Sequence, residues 1–271
     1  MDQNRSNSKA LIIGVFLIFV VVSITVIRSL KTKSNPVETP STAEDQNTAI
    51  KKDKLMEAGE LSRRIINKED ITIIDVRSND EFAAEHIIGS RNIPLSQLGA
   101  GLAGLNKSKT YVLVDSSEDT DPQLINELLP AQGFNNIFYL AGGFAGWKTS
   151  FQPTISAGDP NSFADQAKVT YIKSDPLKEL MASDQNLAII DVRRPATFAD
   201  GHLKGATNIF LDEIEQRKSE VPLGKKIVVY DNDGLWAFQA AVRLSDLGFF
   251  NVQSLADGFD VWKQKGFEIV K

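Results

Sequence analysis

Cysteine does not occur anywhere in the 271 residues. Its absence removes disulfides, thiolate nucleophiles, persulfides, iron–sulfur clusters and cysteine-ligated zinc in one step. Histidine is scarce, with two residues, His86 and His202. They fall in separate, similar stretches, and one imidazole per domain is too few ligands for a metal site. No strongly basic stretch occurs in the soluble part, and the formal net charge is -5. That balance argues against a nucleic-acid partner, because neutralising phosphates needs a basic surface. The chain is therefore expected to hold no metal and no cofactor.

One long apolar run is present. Ala10 to Ile27, ALIIGVFLIFVVVSITVI, carries no charge. At about 1.5 Å per helical residue it crosses most of a bilayer core of about 30 Å. Arg28 extends it by snorkelling. The run is too long for a signal-peptide core and no small-x-small cleavage site follows, so residues 10–28 are expected to be an uncleaved anchor behind a tail of residues 1–9. Residues 29–53, including SNPVETPSTAEDQNT, have the composition of a disordered linker. Arg5, Lys9 and the amino terminus nearly balance Arg28, Lys31 and Lys33. The missing cysteine and the solvated linker favour an extracytoplasmic body on a single-pass protein of a bacterial-type cytoplasmic membrane.

The remainder reads twice. IIDVRSNDEFAAEHIIGSRNIPL starts at Ile73 and IIDVRRPATFADGHLKGATNIFL at Ile189. Asp75, Arg77, Phe82, His86, Gly89 and Asn92 recur as Asp191, Arg193, Phe198, His202, Gly205 and Asn208, displaced by 116 (191 less 75). The same displacement carries Asp115 of TYVLVD onto Asp231 of KIVVYD. Gly143 and Trp147 map to Gly258 and Trp262 with a displacement of 115, so one residue is lost from the second copy between Asp231 and Gly248. A period this long is a domain duplication. Strand patterns alternate with helical ones in each copy, which predicts an α/β protein of two parallel sheets flanked by helices. Domains are expected at residues 54–150 and 167–271, joined by a Pro-, Gly- and Ser-containing linker at 151–166.

These motifs, with IVVYDNDG and LADGFDVWKQKGF, resemble the rhodanese (sulfurtransferase) domain, occurring in tandem over most of the soluble part. The resemblance implies a cysteine at the end of the central strand, in a loop whose amides face inward at a helix N-terminus. Clustered amides and a helix N-terminus stabilise a thiolate and its persulfide. At the matching positions this chain has Asp115 and Asp231. A carboxylate cannot carry a sulfane sulfur, so the resemblance implies two inactive domains and no catalytic residue. The loops that follow hold Ser116, Ser117, Glu118, Asp119 and Thr120 in the first copy and Asn232, Asp233, Gly234, Leu235 and Trp236 in the second. These are the candidate binding residues. Neither loop contains a lysine or arginine, so both pockets are expected to repel an anionic sulfur donor.

Several other readings attach to the same residues. Asp231 is expected to accept hydrogen bonds from the loop amides and cap the following helix. VVYDNDG also resembles the opening of haloacid-dehalogenase-type phosphatases, with Asp231 as nucleophile and Asp233 as acid/base beside Mg²⁺. Asp115, Ser117, Asp119 and Asp121 alternate like the first ligands of a calcium loop, but Thr120 and Asn126 stand where the turn glycine and closing glutamate belong. Arg77 and Arg193 are expected to pair with nearby carboxylates, Trp147 and Trp262 to pack, and Trp236 either to make contacts or to plug its loop. The function expected is a membrane-anchored, catalytically inactive module that binds another protein. The alternatives are a phosphatase-like enzyme using Asp231, a sulfurtransferase subunit relying on a partner's thiol, and an architectural spacer.

Overall fold

The computed structural model describes residues 50–117, 121 and 124–271. The expected tail and anchor, and all but the end of the first linker, lie outside them. Among the described residues no helix is long and apolar enough to cross a membrane. In chain order the first copy contains β1 (Leu55–Met56), α1 (Ala58–Ile66), β2 (Ile71–Asp75), α2 (Asn79–Ala84), β3 (Glu85–Ile87) and β4 (Arg91–Asn92). It continues through α3 (Leu98–Gly101), β5 (Thr110–Val114), a π-helical turn at Leu124–Leu128, α4 (Leu129–Ala131), β6 (Ile137–Leu140) and α5 (Gly143–Thr149). A connecting strap carries β7 (Thr154–Ser156) and α6 (Phe163–Gln166). The second copy has β8 (Thr170–Ile172), α7 (Ser174–Ser183), β9 (Leu187–Asp191), α8 (Pro195–Asp200), β10 (Ala206–Asn208), β11 (Lys226–Tyr230), α9 (Leu235–Asp246), β12 (Val252–Leu255) and α10 (Gly258–Gln264).

Each copy builds a five-stranded sheet, ordered β1-β6-β5-β2-β4 in the first and β8-β12-β11-β9-β10 in the second. All pairs within these sheets are parallel. The expected architecture is thus present twice. Successive side chains of β2 and β5 enter opposite layers, as the pleat requires. Ile74 and Leu113 pack with Ile125, Leu129 and Tyr139 on one face, and Ile73 and Val112 with Leu61 and Trp147 on the other. Burial on both faces explains why these strands read as continuous apolar runs.

The repeated polar residues are the joints of each domain. Asp75 accepts from the backbone N–H of Arg77 and from its guanidinium, and Asp191 does the same for Arg193. Both pairs are buried. The guanidiniums also donate to the carbonyls of Glu85 and Gly201 and stack over Phe144 and Phe259. Asn92 donates to the carbonyls of Asp75 and Arg77, and Asn208 to those of Asp191 and Arg193. His86 and His202 stack on Phe82 and Phe198 and bond those residues' carbonyls through Nδ1. Trp147 and Trp262 are buried and donate from Nε1 to the carbonyls of Pro153 and Glu268.

The interval that carries the one-residue mismatch is built differently in the two copies. The second copy crosses the interval with the regular helix α9, whereas the first contains the π-helical turn. A π turn closes over one more residue than an α turn and absorbs a single insertion without moving the elements on either side.

The connection between copies is not a loose tether. β7 pairs antiparallel with β3. The Ser156 N–H donates to Asp246, and Lys168 bridges Asp246 and Asp165 at 2.8 and 3.0 Å. Ser156 Oγ donates to Asp165 as well.

Removing one partner of a buried pair strands the other charge, so Asp191→Ala should lower stability by about 3–5 kcal/mol. Urea unfolding measures this. A loss within about 0.5 kcal/mol would mean that Arg193 is satisfied without Asp191.

Candidate functional site

The strand-end loop of the second copy is built from Asp231 outward. β11 is buried from Ile227 to Tyr230 and delivers Asp231, itself 4% exposed, to the C-terminal end of the sheet's central strand. Gly234 N–H donates to Asp231 Oδ1 at 2.7 Å and Trp236 N–H to Oδ2 at 3.1 Å. Asp233 accepts from the Leu235 N–H at 3.1 Å. The carboxylates therefore take up free donors of the first turn of α9, which is the capping role read from the sequence. Burial raises the Asp231 carboxyl above its usual range, the amides oppose this, and neighbouring Asp233 adds to the rise.

A second contact sets the loop against the rest of the domain. Phe259 N–H donates to the Asp231 carbonyl at 2.7 Å and Asp260 N–H to that of Asn232 at 3.1 Å. The first copy repeats it, with Phe144 N–H on the Asp115 carbonyl at 2.7 Å and Ala145 N–H on that of Ser116 at 3.0 Å. Both helices open on glycine. A β-carbon on Gly258 (φ +67°) would lie 2.2 Å from the Asn232 carbonyl oxygen, and one on Gly143 (φ +56°) 2.5 Å from an Asp115 carboxylate oxygen. This is why AGGFAGW and ADGFDVW match.

Of the candidate binding residues, Asn232, Asp233 and Leu235 are exposed, and Gly234 and Trp236 are half-buried. Trp236 meets Phe210 edge-on at 5.8 Å and packs against the core. Asp115 is buried in the first copy, Ser116 donates to Glu81 at 3.0 Å and Ser117 is exposed. Glu118, Asp119 and Thr120 lie outside the described residues, and with Asp119 and Thr120 two positions of the calcium-loop reading. Among the described residues no three acidic or histidine side chains converge as a metal site. Both Asp231 oxygens accept amide protons.

The second loop holds no cation of its own, yet Arg193 lies 3.4 Å from Asn232 and, with Lys263, lines a groove of about 300 Å³ that Asn232 also lines. These cations come from β9 and α10, so the loop sequence gave no sign of them. Each is matched by a carboxylate, Arg193 by Asp191 and Lys263 by Asp260.

A model of the rhodanese-like domain matches residues 57–150 and 174–265. A sulfurtransferase of Allochromatium vinosum is 30% identical over 102 residues, 38% of this chain and 95% of that protein. The uncharacterized protein YibN of Escherichia coli K12 is 36% identical over 105 residues, 38% of this chain and 72% of that one. The crystal structure of a thiosulfate sulfurtransferase from Pseudomonas aeruginosa covers 80% of this chain and 43% of its own, at 18% identity and a TM-score of 0.41.

Asp231→Ala should cost about 1 kcal/mol through lost amide acceptors. Gly258→Ala should cost at least about 2 kcal/mol, because its β-carbon meets rigid backbone. Denaturant midpoints rank the two, and the reverse order would contradict the docking argument. A carboxyl raised by folding stabilises most below its unfolded pKa of about 3.9 and loses that contribution as pH rises through the folded value. Wild-type stability relative to Asp231→Asn should therefore fall from about pH 4 upward, and a pH-independent difference would count against it.

Proposed function

This chain belongs to the rhodanese-like domain family, and from that premise we propose that it is a catalytically inactive tandem member, anchored in a membrane by residues 10–28, whose strand-end loops bind another protein. The observation that carries the reading is the Asp231 carboxylate, buried and bonded to the Gly234 and Trp236 amides. We place Asp115 and Asp231 where the family's working cysteine belongs. There a carboxylate uses the amides that would otherwise steady a thiolate, and it has no sulfur to give. No other cysteine in the chain takes over.

The exposed part of the second loop then becomes a contact surface. Asn232 and Asp233 offer polar groups beside Leu235, which is 47% exposed. The first loop differs throughout, so the two copies are proposed to recognise different features of a partner. Fold alone does not decide function, and the reading rests on these residues. The soluble body is proposed to lie outside the cytoplasm, which a reporter fused to the C-terminus tests: a cytoplasmic signal would reverse that assignment.

Purified full-length chain should give only background thiosulfate:cyanide sulfurtransferase and Mg²⁺-dependent phosphatase turnover. A photo-crosslinker at Leu235, in the native membrane, should trap a discrete protein that is lost on Asn232→Ala with Asp233→Ala. Sulfur transfer by the pure chain, or phosphatase turnover abolished by Asp231→Asn, would overturn the non-catalytic reading. Absence of any crosslinked protein would favour an architectural spacer.

A further inference from the structure

Where the two domains meet, a cavity of about 200 Å³ lies between Phe82, His86 and Ile155 on one side and Glu215, Arg243 and Leu247 on the other. It is separate from the strand-end loop. Arg243 sits eight residues beyond Leu235 on α9, about 12 Å along the helix.

The charges in this cavity are unequally satisfied. Glu215 is fully engaged: Oε2 is 3.0 Å from His86 Nε2, and Oε1 accepts the Gly89 N–H at 3.1 Å. Burial would push its carboxyl up, but these bonds hold it below the usual range. Arg243 is different. Its hydrogen bond among the described residues runs from Nη1 to the Leu211 carbonyl at 3.0 Å. Its ion-pair partner, Asp212, is 3.9 Å away and two-thirds exposed. The buried Arg77 and Arg193 each hold a carboxylate by several bonds. Burial pulls Arg243 below the usual guanidinium range, with Asp212 and Glu215 opposing only in part. Arg243 is half-buried, and a partly desolvated guanidinium with a single protein hydrogen bond among the described residues is stabilised by an anion.

These groups are not required by the shared fold. At a displacement of 116, Glu215 corresponds to Gly99 (215 less 116). Arg243 corresponds to Glu127 or Leu128, according to where the single-residue offset falls. The charged side chains of the cavity, Asp212, Glu215 and Arg243, therefore belong to the second copy, while His86 comes from the first.

We propose that this interdomain cavity binds a small aliphatic monocarboxylate, its head on the Arg243 guanidinium and its alkyl chain against Phe82, Ile155 and Leu247. The apolar walls suit a short hydrocarbon tail, and the planar guanidinium fork suits a carboxylate. Glu215 and Asp212 disfavour a multiply charged anion. Because both domains supply walls, an occupant ties them together, giving the tandem arrangement a role independent of the proposed strand-end loop surface.

The test is calorimetric titration of the full-length chain with sodium butanoate, using butan-1-ol as the uncharged control. Butanoate should bind saturably and butan-1-ol should not. Arg243→Gln should weaken binding by about tenfold or more, since a charge-assisted pair is lost. Asp212→Asn, at an exposed position, should tighten it several-fold by removing a competitor. If Arg243→Gln does not fold, Arg243→Lys, which keeps the charge and loses the fork, should show an intermediate weakening. No saturable heat with wild type, equal binding of butan-1-ol, or an affinity indifferent to both Arg243 and Asp212 would overturn the proposal.

Discussion

The geometry of each domain turns on one close backbone contact. The carbonyl that ends the central strand accepts an amide from the first turn of the last helix, and the approach is possible because that helix opens on a glycine. With the contact made, the loop lies flat against the helix start. The residue at the strand end is then held facing inward, whatever its side chain. Through the second copy's loop amides this becomes a cradle for an acceptor, and Asp231 fills it.

A second constraint meets the same helix start, since Phe144 and Phe259 serve both contacts. The paired Asp–Arg joints tie β2 and β9 to α5 and α10 through the guanidinium–phenyl stacks, and the asparagines of β4 and β10 bond the carbonyls on either side. Burying such pairs adds little net stability. It does make alternative registers costly, since any slip leaves a charge or a carbonyl without a partner. That cost gives a physical reason for the same aspartate, arginine and asparagine to stand in both copies.

Most of this frame was legible in the sequence, because it is local and it is written twice. The aspartate two residues before each arginine, the phenylalanine four before each histidine, and the glycine that opens each final helix all recur, and each recurrence is an ion pair, a stack or a close backbone approach. What could not be read depends on surfaces meeting. Lys168 and Asp246 are far apart in sequence and carry no motif, so the strap at 151–166 read as a linker by composition. The His86 to Glu215 bond, the approach of Arg193 to Asn232 and the cavity floored by Arg243 are likewise products of packing between elements. The length mismatch was visible as arithmetic, but the π-helical turn in that interval was not.

The two copies thus share a frame and differ where they face outward or toward each other. The central claim is that the second cradle is occupied by a buried carboxylate held by backbone amides. Its most direct measurement is the pH dependence of the Gly234 and Trp236 amide resonances in the full-length chain. The account predicts that both move together along one titration, with a midpoint above the ordinary aspartate value of about 3.9. Resonances that stay flat across that range, or that follow a midpoint below it, would contradict it.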